Sequence, residues 1–202
     1  AKKIITINLS DLSAMGAIPY SYSLNLFLPT YIKHKWLHKF SDELLKLQKK
    51  YKFYLIGGDL SKSNKLQISL TFFGLPKNKV ISQNKLGLGY DIFITGNIGE
   101  SFIGLQILKK KILIKNSKIK NYFINKYYFP KPCMLGPKIS KYVEAMKDIS
   151  DGFIGDLQKM LNFNYGAKLY LDNLPLSINT KKILSLNHFK IKQLLNSGDN
   201  YE

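Results

Sequence analysis

Four aspartates stand within two residues of glycine or serine where apolar segments of this chain end. They are Asp11 in Ser-Asp-Leu, Asp59 in Gly-Gly-Asp, and Asp148 and Asp151 in Asp-Ile-Ser-Asp-Gly. Glycine lets a backbone come close to a bulky anion, and a helix start offers free N–H groups to phosphate. A carboxylate repels phosphate, but the two are found together when Mg²⁺ bridges them. The pattern therefore predicts a site for a metal and a nucleotide.

Each of these acids also has a purely structural interpretation. Asp11 and Asp151 are acceptable helix caps, and Asp59 is an ordinary turn residue. Taken singly, these simpler interpretations are favoured. The Asp-Ile-Ser-Asp-Gly segment, residues 148–152, is harder to explain in this way, because two acids around one serine bring more negative charge than capping needs. Residues 96–99 (Gly-Asn-Ile-Gly) are similar to a phosphate loop but lack the Walker spacing and lysine.

The overall charge of the chain is basic, with 31 Lys plus Arg residues against 13 acids in 202 residues, a net charge of +18. Every basic residue is a lysine, and proteins that read bases or grip phosphates in pairs rely on the arginine fork. We therefore expect no nucleic-acid partner. No segment is long and apolar enough to predict a membrane span. The single cysteine, Cys133, excludes an internal disulfide and favours a reducing compartment, the cytoplasm.

The apolar pattern alternates between strand-like and helix-like segments, which predicts an α/β fold in two units. Strands are predicted at residues 4–9, 22–28, 53–56, 66–73, 91–95 and 167–171. Helices are predicted at residues 10–17, 40–51 with Ser41 as the cap, 101–108, 139–146, 153–161 and in pieces of 183–195. Residues 74–89 form a predicted linker, and residues 109–120 a predicted exposed loop.

Five segments of the chain resemble, in order and spacing, the motifs of thiamine-monophosphate kinases. These are residues 8–17, 55–59, 94–99, 148–152 and 197–202. Any one of them alone would be weak, but five in the same order cover nearly the whole chain. The family's first acidic motifs would lie before Ala1, so we expect this chain to be an incomplete fragment.

The resemblance implies a fold and a reaction. The fold is the two-domain α/β (α+β) architecture of the aminoimidazole-ribonucleotide-synthetase-like ATP-binding superfamily, with mixed sheets covered by helices and a homodimer formed through the N-terminal sheet. Residues 1–78 would be the remainder of the N-terminal domain, and residues 79–202 an incomplete C-terminal domain. The reaction is the Mg²⁺-dependent, direct transfer of the γ-phosphoryl group of ATP to thiamine monophosphate. The acceptor is already an anion, so no catalytic side chain is expected.

The resemblance also implies roles for individual residues. The implied Mg²⁺ ligands are Asp11, Asp59, Asp148 and Asp151, the implied ATP contacts are Gly58, Asp59 and Ser150, and the implied contact to thiamine monophosphate is Asp199. The chain departs from the family pattern at Leu60, Gln83 and Asn200. Two alternatives stay open: another enzyme of the same superfamily, or a nucleotide-binding relative without catalytic activity.

Overall fold

The structure is a computed structural model that describes residues 1–83, 85–162, 164–186 and 189–201. Its elements, in chain order, are α1 (Lys2–Ala14), β1 (Ala17–Leu28), α2 (His34–Tyr51), β2 (Tyr54–Lys62), β3 (Gln67–Pro76), α3 (Glu100–Leu108), α4 (Ser117–Tyr128), α5 (Gly136–Ile139), α6 (Phe153–Leu161), a 3₁₀ turn (Leu171–Asn173), α7 (Ile178–Ser185) and α8 (Ile191–Leu195). In these residues no helix is both long and apolar enough to cross a bilayer.

The three strands form one mixed sheet in the order β2-β1-β3. β1 runs parallel to β2 and antiparallel to β3. Side chains alternate between the two faces of a strand, and on one face Leu24 and Leu26 are buried. They pack in one core with Phe40, Leu44 and Leu47 of α2, which recur at helical spacing and form its apolar stripe. The mixed α/β architecture agrees with the prediction.

The first element is a helix, so the strand predicted at residues 4–9 is wrong. Ile5 and Leu9 are fully buried and one helical turn apart, and both pack in the core below the sheet. The hydroxyl of Thr6 donates to the carbonyl oxygen of Lys2 at 2.8 Å, a bond made within the helix. A short β-branched run cannot be told from a buried helix by its composition alone. The helix predicted at residues 10–17 is confirmed only for residues 10–14, because α1 ends at Ala14 and Gly16 follows it with a φ of +74°.

Helix α2 begins earlier than predicted. Its N-cap is Lys33, and Ser41 lies inside the helix, where its hydroxyl donates to the carbonyl oxygen of Leu37 at 2.7 Å. The prediction of Ser41 as the cap is therefore wrong. The sequence pattern predicts no helix before residue 40 because the polar face of residues 34–39, rich in lysine and histidine, hides the apolar stripe that Leu37 and Phe40 continue.

Four further predictions fail, in whole or in part, after residue 90. Residues 91–95 and 167–171 form no strand, because within the described residues no neighbouring strand pairs with them. The helix predicted at residues 139–146 is absent beyond α5, since Ala145 instead makes a parallel bridge to Ser82. The loop predicted at residues 109–120 ends at Asn116, whose side chain caps α4 by accepting the N–H groups of Lys118 and Ile119.

The predicted linker at residues 74–89 is in part structured. Its first residues belong to β3, and Ile81 is buried, with its N–H donating to the carbonyl oxygen of Met15 at 3.1 Å. Residue 84 lies outside the described residues. Beyond this segment the chain builds two further apolar clusters, one around α3, α4 and α7 and one around α6 and α8.

Candidate functional site

Asp11 and Asp148 come together although they lie far apart in the sequence. Asp11 is in the last turn of α1, and Asp148 is only 6% exposed. Burial and, second to it, the nearby Asp11 carboxylate raise the pKa of Asp148 to about 6, while the charge of Lys147 acts in the opposite direction. Partial burial also raises the pKa of Asp11. Oδ2 of Asp148 is buried without a hydrogen-bond partner. Two neighbouring carboxylates with an unpaired buried oxygen suit a cation.

The loop that carries Asp148 is shaped by Asp156, which sequence reasoning missed. Asp156 is 2% exposed, and its Oδ2 accepts three successive N–H groups, from Ser150 at 2.9 Å, Asp151 at 2.9 Å and Gly152 at 3.2 Å. The N–H of Ser150 is therefore already paired, which leaves its hydroxyl for a ligand. The signal in the sequence was an aspartate in the first turn of a helix, directly after a glycine-containing acidic loop.

Two lysines connect the acids of this region. Oδ1 of Asp156 lies 3.7 Å from Nζ of Lys147 and 3.6 Å from Nζ of Lys159. Lys159 also forms an ion pair with Asp151, whose side chain is 66% exposed, and this contact lowers the pKa of Asp151. We refer to Asp11, Asp148, Asp151 and Asp156 as the carboxylate cluster.

An open cleft of about 380 Å³ lies beside the carboxylate cluster. Its walls come from α3 and α4, from the loop at residues 150–151 and from residues 193–199. Ser150, Asp151 and Asp199, all predicted site residues, line it together with the aromatic rings of Phe102 and Tyr127. The cleft thus combines oxygen ligands with a ring-lined wall.

Asp199 is held against the acidic loop by backbone bonds. Its N–H donates to the carbonyl oxygen of Ser150 at 2.9 Å, and the N–H of Tyr201 donates to that of Ile149 at 2.9 Å. Both residues have left-handed backbones, with φ of +62° and +58°. The Tyr201 hydroxyl donates to Oδ1 of Asp199 at 2.5 Å, while Nζ of Lys3 lies 3.4 Å from Oδ2. A strained conformation that is fixed this firmly is typical of a functional segment.

The side chain of Asn200 forms hydrogen bonds to the backbone of the protein. It is buried, its Oδ1 accepts the N–H of Gly99 at 2.8 Å, and its Nδ2 donates to the carbonyl oxygen of Ser197 at 2.9 Å. The last N–H of the loop at residues 96–99 is therefore already bonded to a side chain of the protein. Residue 202, which closes the fifth resembling segment, lies outside the described residues.

Asp59 and Gly58 lie elsewhere in the molecule. Strand β2 continues through both of them, so the predicted end of that strand at Ile56 is wrong. Asp59 pairs with Asn25 of β1, and this position alternates with the buried Leu24 and Leu26, so Asp59 lies on the face of the sheet opposite α2. Its carboxylate accepts the hydroxyl of Ser61 at 2.6 Å.

Gly58 has a packing role in the sheet. Its φ is +148°, and a Cβ at this position would lie 1.8 Å from the carbonyl oxygen of Leu24.

Because Asp59 lies on the open face of the sheet, the four predicted metal ligands do not form one group within a single copy of the chain. Among the described residues, no three or more histidine, cysteine or acidic side chains are arranged to hold a metal ion.

Comparison with known proteins gives three kinds of similarity. Residues 1–75 match the family model described as AIR synthase related protein, N-terminal domain. The whole chain is 43% identical over 210 residues to a thiamine-monophosphate kinase of Buchnera aphidicola from Schizaphis graminum, and spans 62% of that protein. It is 33% identical over 205 residues to the thiamine-monophosphate kinase of Escherichia coli K12, again spanning 62% of its length.

Solved structures of other proteins share the fold of this chain over nearly its whole length. A thiamine monophosphate kinase from Aquifex aeolicus superposes with a TM-score of 0.87 at 27% identity, covering 98% of this chain and 68% of that one. A structure described as AaThiL complexed with AMPPCP and TMP gives a TM-score of 0.86 at 28% identity, covering 98% of this chain and 65% of that one. The hydrogenase maturation protein HypE of Escherichia coli, at 17% identity and a TM-score of 0.76, shares the fold alone.

Proposed function

We propose that this chain, which is similar along its whole length to thiamine-monophosphate kinases, is part of such a kinase. The protein would transfer the γ-phosphoryl group of ATP to the phosphate of thiamine monophosphate and form thiamine diphosphate. The chain spans less than two thirds of the length of the first two relatives, 62% in each case, so this activity belongs to the whole protein. A boundary between two domains after residue 78 and a location in the cytoplasm belong to the same proposal.

The observation that carries the proposal is the Asp11–Asp148 pair beside the cleft. The pair supplies two carboxylates from distant segments, and the buried Oδ2 of Asp148 has no partner within the protein. Mg²⁺ in kinases is usually bound through one or two carboxylates, together with substrate phosphates and water. The donor set therefore fits Mg²⁺ held jointly by the protein and a nucleotide.

We assign the metal to the Asp11–Asp148 pair. Asp151, which the resemblance also implies as a ligand, lines the cleft but does not form a group of three ligands with that pair among the described residues. Bound by the pair, Mg²⁺ would neutralise the charge that develops on the transferred phosphoryl group. Asp156 and Ser150 have the role of positioning the loop and the nucleotide. Asp156 holds the loop, the Ser150 hydroxyl is free to bond a phosphate oxygen of ATP, and alignment of donor and acceptor takes the place of a general base.

Asp199 is the proposed contact to thiamine monophosphate. It lines the cleft with the rings of Phe102 and Tyr127, and an aromatic wall with a carboxylate suits a cationic heterocycle. Thiamine carries such a ring, with a permanent positive charge on its thiazolium. The Tyr201 hydroxyl and Lys3 also contact the Asp199 side chain.

Asp59 and Gly58 complete the proposal through a second copy of the chain. We propose a homodimer formed by the face of the sheet that α2 does not cover. On this face Tyr54 and Phe73 flank Ser21 and are 64% and 48% exposed. Large rings left open on a sheet are typical of an interface. Asp59 lies on the same face, where an ATP and metal role would depend on the dimer.

The test is formation of thiamine diphosphate by the full-length protein with thiamine monophosphate, ATP and Mg²⁺. We expect turnover in the wild type and a loss of at least about 100-fold in Asp148→Asn, the scale of removing one electrostatic contact to a transition state. Asp172→Asn, an exposed acid of the 3₁₀ turn, is the matched control and should keep full activity. Retained ATP binding without any turnover would instead favour a non-catalytic relative.

A further inference from the structure

Lys147 has an unusual position for a lysine. Its side chain is only 12% exposed, and Nζ lies 3.7 Å from the buried Oδ1 of Asp156. The positive charge also acts on Asp11, Asp148 and Asp151. Lysine is seldom buried to this extent unless carboxylates accompany it. Here all four members of the carboxylate cluster accompany Lys147.

Lys159 is a second lysine beside Asp156, but its side chain is more exposed than that of Lys147. Its Nζ lies 3.6 Å from the same oxygen of Asp156, but its side chain is 55% exposed and is directed to Asp151. Of these two lysines, Lys147 is the one whose charge acts on Asp11 and Asp148. The chain therefore provides two lysines with equal contact to Asp156 and unequal influence on the Asp11–Asp148 pair.

We infer that Lys147 is the built-in counter-cation of the Asp11–Asp148 pair and that a divalent ion competes with its ammonium group there. The inference rests on the proposed function, since it concerns the metal site of that function. Oδ2 of Asp148 makes no hydrogen bond, so the ammonium group acts on this carboxylate without closing the oxygen to a ligand. A divalent ion can enter beside it, but the two cations repel each other.

This competition has a consequence for the order of binding. In the free protein, Lys147 weakens the attraction of the two carboxylates for a divalent ion. The polyphosphate of a nucleotide brings additional negative charge and offsets the lysine. The site is therefore built to take up the metal together with the nucleotide rather than before it.

The experiment compares the full-length wild type with Lys147→Met and Lys159→Met in the absence of nucleotide. Mn²⁺ replaces Mg²⁺ as the probe, because free Mn²⁺ is counted by electron paramagnetic resonance. Removal of one positive charge next to the site should lower the Kd for Mn²⁺ on the order of tenfold in Lys147→Met. Lys159→Met should leave the Kd within about twofold, as expected for an exposed ion pair.

The rise in melting temperature from EDTA to Mn²⁺ provides a second readout, because loss of a purely structural lysine would not change this rise. Lys147→Met should melt lower than the wild type in EDTA and gain more from Mn²⁺ than the wild type does, because binding to the native state stabilises it. Lys147→Arg, which keeps the charge, should behave as the wild type. A variant that folds only with Mn²⁺ would support the inference equally.

Three results would overturn it. Equal or weaker Mn²⁺ binding in Lys147→Met, with binding in the wild type intact, refutes the competition and leaves the proposed function standing. A Lys147→Met protein that stays unfolded with and without Mn²⁺ makes the lysine structural. Absence of Mn²⁺ binding from the wild type and from every variant would remove the metal site itself, and the metal role in the proposed function with it.

Discussion

At the scale of single residues, Asp156 sets the shape of the site more than any of its proposed ligands does. Its carboxylate is 2% exposed and receives three backbone N–H groups on one oxygen, while two ammonium groups face the other. A buried charge is tolerated when its hydrogen bonds are made, and becomes costly when a partner is lost. The loop with Asp148, Ser150 and Asp151 depends on this one side chain for its conformation.

Asp156→Ala should therefore destabilise the protein by about 3–5 kcal/mol, the usual loss when one member of a buried charged network is removed. Asp156→Asn keeps an acceptor oxygen for the N–H groups and should lose about 1–3 kcal/mol. The free energy of unfolding is measured by urea denaturation. Asp172→Ala, on the exposed 3₁₀ turn, is the control and should stay within about 0.5 kcal/mol of the wild type. An Asp156→Ala protein as stable as this control would contradict the argument.

The sequence pointed to Asp11 and Asp148 because their neighbours form motifs, and the structure brings these two together. It did not point to Asp156 or Lys147, because their importance comes from what packs around them. No local pattern distinguishes an aspartate that receives three N–H groups from one that caps a helix. Asp59 lies on the face of the sheet opposite α2, apart from the other acids, and motif order does not reveal this because it does not tell on which face of a sheet a side chain lies.

At the scale of elements, the contact between β1 and β2 depends on a glycine. The register shifts after Tyr22 and Leu55, and directly beyond this irregularity Gly58 lies against the backbone of Leu24. Its φ of +148° is rare for residues with a side chain. The strand that carries Asp59 is therefore held to the sheet at a position where no side chain fits, which gives the Gly-Gly-Asp motif a structural reason beside any role in ATP binding.

Gly58→Ala should weaken the pairing of β2 with β1, because the new Cβ would have to move away from the carbonyl oxygen of Leu24. We expect a loss of about 3 kcal/mol, from overpacking and an unfavourable φ together. Gly57→Ala is an adjacent control, since a Cβ at Gly57 meets nothing within 4 Å. It should change stability by less than about 1 kcal/mol. Thermal unfolding followed by circular dichroism measures both, and equal melting temperatures would refute the close-packing argument.

The elements that were predictable are those whose burial follows one clear period. Helix α2 repeats its apolar residues at helical spacing, and β1 and β3 alternate along most of their length. The helix at residues 4–9 was missed because β-branched residues there fit a buried strand equally well. The segment at residues 139–146 has helical spacing in the sequence, but its backbone bridges to Ser82, a long-range contact that local periodicity does not contain.

At the scale of the whole molecule, one face of the sheet is covered and the other is open. Helices α1 and α2 contribute to the core on one face, together with Leu24, Leu26 and Tyr22. On the other face, rows of paired residues run across the three strands, among them Tyr54–Ser21–Phe73 and Asp59–Asn25–Ser69. The charge of +18 keeps copies of the chain apart, so any association has to come from apolar contact on such a face.

The dimer proposal predicts that Phe73→Lys separates the two copies. Phe73 is 48% exposed on the open face, and a charge placed there would be buried without a partner on association. Tyr31→Lys is the control, because Tyr31 is a 70% exposed ring in the turn after β1 and away from the sheet. Light scattering after size exclusion of the full-length protein should report a dimer for the wild type and for Tyr31→Lys, and a monomer for Phe73→Lys.

Because Asp59 shares this face, its proposed contribution to ATP binding should be lost with the dimer. A Phe73→Lys protein that remains dimeric would show that the copies meet through another surface, and Asp59 would then need a different partner.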